Sequence, residues 1–184
     1  MNKYIRALVV VPTGFLKTLG LKVFHARAFS GVQLAQISPF TEITLAGGKL
    51  ELGRGFKMRD GAKIRIRKGA VCIIGSNTSV NSDNMIACHE RITIGNNVQF
   101  SPNVQIYDHD HDFRVDGGIP EKEYQTAPVK IGNNVWVGAN TVILRGTMIG
   151  DNCVIGAGSI VRGVVPDNSV FVQKRMTEMR EIQR

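Results

Sequence analysis

Two histidines, His109 and His111, stand in a run of alternating carboxylates formed by Asp108, Asp110 and Asp112. Imidazole titrates near neutral pH, so it can take a proton from a substrate and return it. A carboxylate beside the ring orients it and raises its basicity. These two are half of the four histidines in the chain, and they open a polar, Gly- and Pro-containing segment, YDHDHDFRVDGGIPEKEYQTAP, at residues 107–128. An insertion of this kind in an otherwise regular chain is a functional loop more often than filler.

What is regular is a period of six. Aliphatic residues recur at Ile131, Val137, Ile143, Ile149, Ile155 and Val161. No helix repeats at six, and six is a multiple of the strand period of two. The same spacing runs backwards through Ile94, Phe100 and Ile106, then Ile74, Val80 and Ile86, then Leu52, Met58 and Ile64. Each triplet opens on an aliphatic-Gly pair, and Asn or Asp pairs such as Asn96-Asn97 and Asn133-Asn134 lie between aliphatics, where tight corners need the left-handed conformation. A weaker set at Ile37 and Ile43 predicts an irregular first coil. Three hexads per triangular turn give an all-β solenoid, a parallel β-helix with its aliphatic columns inside. The chain divides into an apolar, basic segment at 1–36, the β-helix at 37–166 with an external loop at 108–128, and a C-terminal extension at 167–184.

This pattern resembles the left-handed β-helix, hexapeptide-repeat acyltransferases. It is most similar to the branch that contains maltose and galactoside O-acetyltransferases and the O-acetyltransferases of capsular and exopolysaccharide clusters. The resemblance covers about residues 37 to 175 and is strongest from Ile92 to Val165, including IGNNVWVGANTVILRGTMIGDNCVIGAGSIV. It implies a homotrimer with sites between subunits, acetyl-CoA as co-substrate, and a sugar or polysaccharide-precursor acceptor. It implies no metal. The family's catalytic histidine, five residues beyond the last aliphatic of its coil, matches His111, with His109 in reserve. Its acceptor-positioning Asn matches Asn81 or Asn84, with Asp83 between them. Trp136 matches the tryptophan beside the active site. Gly138 and Ala139 match the thioester end of the coenzyme groove, where a backbone N–H would stabilise an oxyanion. Ala157, Gly158 and Arg162 match the pantetheine and phosphate groove, and Lys174 and Arg175 a basic pair for the coenzyme phosphates. A xenobiotic or amine acetyltransferase is the rival within this fold. A γ-class carbonic anhydrase is the rival outside it, with His89, His109 and His111 as the available zinc trio.

The N-terminal segment is apolar and basic, with no acidic residue before Glu42. Its apolar runs are too short to span a bilayer. Lys3 and Arg6 precede an apolar run as in a signal peptide, but no small-x-small cleavage site follows. Two readings stand: a cap over the solenoid end, or a helix lying in a membrane surface. Pro12 and Gly14 predict two short helices rather than one. The net charge of +8 gathers partly at Lys63, Arg65 and Arg67, whose alternation predicts one outward strand face suited to anionic lipid or saccharide. No nucleic-acid reading module accompanies the charge. Cys72, Cys88 and Cys153 show neither metal nor disulfide spacing and predict reduced thiols in a cytoplasmic protein.

Overall fold

A computed structural model describes residues 3–31, 35–116, 123–174, 176 and 178–181. Among these, the strands form three parallel sheets of seven, seven and six strands and one antiparallel pair. The three sheets are the faces of a prism of about six turns. The first face is built from Phe29–Gly31, Lys49–Leu52, Val71–Ile74, Arg91–Ile94, Val129–Ile131, Met148–Ile149 and Val164–Val165. The second runs from Gln36–Ile37 to Val170–Phe171, and the third from Glu42–Leu45 to Ile160–Val161.

The period-six columns are the register of these sheets. Leu52, Ile74, Ile94, Ile131, Ile149 and Val165 stack in one column. Ile37, Met58, Val80, Phe100, Val137 and Ile155 stack in the second. Ile43, Ile64, Ile86, Ile106, Ile143 and Val161 stack in the third. From the second coil onward these columns are buried, and each Ile or Val taken from water stabilises the prism by about 1.5–3 kcal/mol. The early pair at Ile37 and Ile43 belongs to a full first coil.

Corners hold the coils in line. Asn77, Asn97, Asn134, Asn152 and Asn168 all adopt positive φ of 56–58° at one edge. Their amides form a ladder along it, each Nδ2 donating to the next Oδ1 at 3.0–3.3 Å. Asn tolerates this conformation better than any other large residue, which explains its return at each coil.

The N-terminal segment departs from the expected pair of short helices. One α-helix, α1, runs Lys3–Phe24 straight through Pro12. Pro12 is exposed, so the Leu8 carbonyl it leaves without a helical donor lies on the solvent side. Gly14, instead of breaking the helix, lets it approach the first coil, since a Cβ there would overlap the Ala35 carbonyl. Lys17 completes the contact. Its ammonium donates to the carbonyls of Ser38, Pro39 and Thr41 at 3.1, 3.1 and 2.8 Å and to Thr41 Oγ1 at 2.7 Å. These groups lie at the open edge of the solenoid, where no preceding coil supplies donors. Burial lowers the Lys17 pKa. The helix therefore caps the prism.

The basic stripe is also altered by packing. Arg65 is held by Glu42 of the first coil, Nε to Oε1 at 2.7 Å and Nη2 to Oε2 at 3.0 Å. Arg67 lies beyond the strand, which ends at Ile66. Only part of the expected cationic face is left for a partner. All three cysteines are buried and free, and burial pushes the Cys72 thiol up to about 12.

Candidate active site

The segment at 107–128 leaves the prism at the edge between its third and first faces. His109–His111 and Tyr124–Thr126 pair antiparallel, with His109 opposite Thr126 and His111 opposite Tyr124. The coils resume in register on either side, since Ile94 pairs Ile131 and Ile106 pairs Ile143. The insertion is therefore a hairpin with an intact solenoid above and below it. Residues 117–122 of the loop lie outside the described residues.

Asp108 anchors the hairpin. It is fully buried and accepts three backbone hydrogen bonds from the coil below, from the N–H groups of His89, Glu90 and Arg91, each at 2.8 Å. His109 Nδ1 lies 3.2 Å from its Oδ1, and Cys88 Sγ 3.5 Å from its Oδ2. Burial alone would raise this carboxyl's pKa. The bonds from His109, the backbone amides and Cys88 reverse that and hold it below the usual carboxylate range.

His89 and His109 each lie three residues beyond paired aliphatics, Ile86 and Ile106, so they occupy equivalent corners of successive coils. Their rings stack 3.4 Å apart at 10°. Tyr124 packs edge-on to both, at 4.4 and 5.4 Å between centroids, and Tyr107 meets His109 at 5.9 Å. Desolvation, reinforced by the neighbouring His109, lowers the His89 pKa to about 4, so His89 is neutral at pH 7. His111, one pleat further on, is exposed, with its ring 4.7 Å from Tyr124. Above the hairpin, Arg145 of the next coil donates from Nε to Asp110 Oδ2 at 2.6 Å and from Nη2 to Gln125 Oε1 at 3.0 Å. Gln125 in turn donates to Asp112 Oδ2 at 3.0 Å. The three aspartates thus have separate duties: Asp108 holds His109 and the coil below, Asp110 ties the hairpin to the coil above, and Asp112 braces the hairpin internally through Gln125 and the Arg114 N–H.

The zinc alternative fits this geometry poorly. Face-stacked imidazoles aim their nitrogens sideways, not at a common point about 2 Å from each. Among the described residues, no group of three His, Cys, Asp or Glu side chains is arranged to hold a metal.

Most of the remaining predicted residues lie at a different edge, between the second and third faces, whereas Arg162 lies at the hairpin's own edge, between Ile160–Val161 and Val164–Val165. Asn81, Asp83 and Asn84 turn the corner of one coil, Gly138 and Ala139 that of a coil two above, and Ala157 and Gly158 that of the next. Asp83 is a corner residue with φ of 58°. Asn84 is buried and accepts from the Val104 N–H at 2.7 Å, while half-buried Asn81 accepts from the Ser82 N–H. The Gly138 N–H is already donated to the Ile155 carbonyl at 2.8 Å, so the sheet, rather than an oxyanion, takes it. The glycine itself is needed, because a Cβ would stand 2.5 Å from the Ala157 nitrogen. Trp136 is 55% exposed on the second face, with Nε1 donating to Ser101 Oγ at 3.1 Å. Arg162 and Lys174 are exposed, and Arg175 lies outside the described residues. Within one protomer, then, the His111 hairpin and the Trp136 face are on different sides of the prism. Sequence reasoning passed over Tyr124 and Arg145 and weighed His89 only as a zinc ligand. The matching offsets from Ile86 and Ile106 were the available signal for the histidine stack.

Comparison with known proteins agrees with this architecture. The model "Bacterial transferase hexapeptide (six repeats)" matches residues 128–163. The putative lipopolysaccharide biosynthesis O-acetyl transferase WbbJ of Escherichia coli is 34% identical over 67% of this chain and 67% of its own length. The galactoside O-acetyltransferase of Escherichia coli is 41% identical over 59% of this chain and 53% of its own. The chain thus spans about half to two thirds of these relatives' length. A solved variant of AntD, an N-acyltransferase from Bacillus cereus in complex with dTDP and coenzyme A, superposes with a TM-score of 0.68 at 22% identity, covering 87% of this chain and 89% of that one. That likeness shows the fold. With the period-six columns, the parallel prism and the relationship to WbbJ together, the chain belongs to the hexapeptide-repeat transferases, the left-handed β-helix acyltransferase family.

Proposed function

We propose that this protein is an O-acetyltransferase that moves an acetyl group from acetyl-CoA to a hydroxyl of a sugar, within polysaccharide biosynthesis in the cytoplasm. The observation that carries the reading is the histidine hairpin, fixed from below by Asp108 and from above by Arg145, in a chain similar to proteins named O-acetyltransferases. His111 is the general base. It is the exposed imidazole of the hairpin, whereas His109 is enclosed by His89, Tyr107 and Tyr124 and tethered to Asp108. His111 takes the proton of the acceptor hydroxyl as its oxygen attacks the thioester carbonyl. The C–S bond then breaks, and the proton goes to the departing thiolate.

The edge at Ala139, Ala157 and Gly158 suits the coenzyme arm, because its residues are small and partly or fully exposed, while buried Gly138 lets the coil above pack closely. Arg162, Lys174 and Arg175 lie further along the chain for its phosphates, and Asn81 is the acceptor-side amide nearer the surface, half-buried where Asn84 is buried. His111 and Trp136 belong to different faces, so one complete site draws on two prisms. This supports a homotrimer with sites between protomers. A second reading rests on the Asp108–His109 contact of 3.2 Å, which is the usual means of orienting a catalytic imidazole and would make His109 the base.

Purified variants tested with a panel of sugars, by release of free CoA, separate the two readings. His111→Ala should lower kcat by about 10²–10⁴-fold, the range for a general base, with acetyl-CoA still bound. His109→Ala should cost much less. A dead His109 variant beside an active His111 variant would reverse the assignment. No CoA release with any sugar would remove the reading, and light scattering that finds an active monomer would remove the shared site.

A further inference from the structure

The cap helix has one duty toward the solenoid and a face that the solenoid does not use. Gly14, Thr18 and Lys17 meet the first coil, on one side of α1. The opposite side is apolar along its described length: Leu8 is 76% exposed, Leu16 64% and Val23 66%, with Val9, Val11, Phe15 and Leu19 also exposed. At 100° per residue, positions 8, 9, 11, 12, 15, 16, 19 and 23 fall within less than half of the helix circumference, and Lys22 is the one charged residue that shares their arc. Phe40, in the corner of the first coil beside the Lys17 contacts, is 75% exposed.

We infer that this face docks the protein onto the surface of a membrane containing anionic lipid. The charge of the segment chooses that partner. Residues 1–41 contain Lys3, Arg6, Lys17, Lys22 and Arg27 and no Asp or Glu. Lys17 is consumed by the cap; among the described residues Lys22 stands at the margin of the apolar face, and Arg27, just beyond the helix, is exposed. An apolar face with only cations around it fits the headgroup boundary of an anionic bilayer, where the apolar side chains enter and the cations meet phosphate. The helix does not cross the bilayer: no helix among the described residues is long and apolar enough. The face points away from the coils, so docking leaves the histidine hairpin and the Gly138 edge free. The inference does not depend on the acetyl-transfer reading.

Vesicle co-flotation of the full chain tests it at 50 mM salt, with phosphatidylcholine vesicles containing 30% phosphatidylglycerol, taken as about physiological anionic content, and with pure phosphatidylcholine. The wild type should float with the anionic vesicles and at least about tenfold less with the neutral ones, each cation being worth about fivefold. The triple variant Leu8→Glu, Leu16→Glu, Val23→Glu should lose about tenfold or more of the binding, with circular dichroism and particle size unchanged. The separate pair Lys22→Glu, Arg27→Glu leaves the apolar face intact and should also release the protein, so the test does not rest on the first variant's folding. Equal binding to both vesicle types, no binding at low salt, or no loss in the charge-reversed pair overturns the inference. A triple variant that shrinks the particle in solution overturns it too, and assigns the face to a contact between copies of the chain.

Discussion

Replacing Asp108 with Asn removes one charge and one acceptor from the most heavily bonded side chain in the hairpin. Its Oδ1 accepts from the His89 amide and contacts His109, and its Oδ2 accepts from the Glu90 and Arg91 amides. An Asn must turn its NH2 toward one of these sets, leaving buried N–H donors facing a donor. At about 1.5–3 kcal/mol for each hydrogen bond to a charged group, losing two costs about 3–6 kcal/mol. For a chain of this length each kcal/mol lowers Tm by about 2–4 °C, so a fall of about 6–24 °C is expected at fixed protein concentration. The pH dependence has a definite sign. The folded carboxyl titrates below its unfolded value of about 3.9, so its stabilisation is complete above that pH and fades as pH falls through the lower folded value. Urea unfolding of both proteins at pH 7, 5 and 3.5 should show the same gap at the first two and a smaller one at the third. A variant that melts within about 2 °C of wild type would refute the anchoring role. A gap unchanged at the lowest pH would refute the charge as its cause.

Two further substitutions probe the scaffold. Lys17→Met keeps the aliphatic stem but strips the donor from three carbonyls and a hydroxyl at the capped edge; it should cost about 1–3 kcal/mol and speed amide exchange at 36–45 before the rest, and unchanged exchange there would show that the ammonium is not the cap. Gly138→Ala would set a methyl against backbone of the next coil, at 2.5 Å from the Ala157 nitrogen and 2.8 Å from its Cα, and should cost about 1–3 kcal/mol by calorimetry, whereas an unshifted transition would mean that the coils separate freely.

The solenoid was legible because its signal is periodic and local. Ile131, Val137 and Ile143 declare their spacing without knowledge of what they touch, and the register repeats that spacing. The hairpin was legible as a break in the same signal. The interactions inside it were not, because they join residues far apart. Arg145 reaches Asp110 across 35 residues, and the two meet only after the insertion has folded back and the next coil has formed. Pro12 misled for a related reason. Local propensity ends a helix there, but Gly14 and Lys17 secure the helix to the first coil, and that contact outweighs the lost hydrogen bond. Asn81, Asp83 and Asn84 could not be ranked by spacing alone; the corner geometry gives Asp83 a turn and Asn84 a buried acceptor role.

Equivalent corner residues are 20 positions apart below the hairpin, from Ser76 to Asn96, and 18 apart above it, from Asn133 to Asp151, but 37 apart across it, from Asn96 to Asn133. The hydrogen bonds on those three steps have the same form and nearly the same lengths. The prism is thus indifferent to how much chain leaves and returns at this edge. Doubling such an excursion adds only about 0.6 kcal/mol of closure entropy. On the proposed reading the base, His111, therefore sits on an interchangeable part, and the stretch beyond Asp108 can change in length while the column beneath keeps its register.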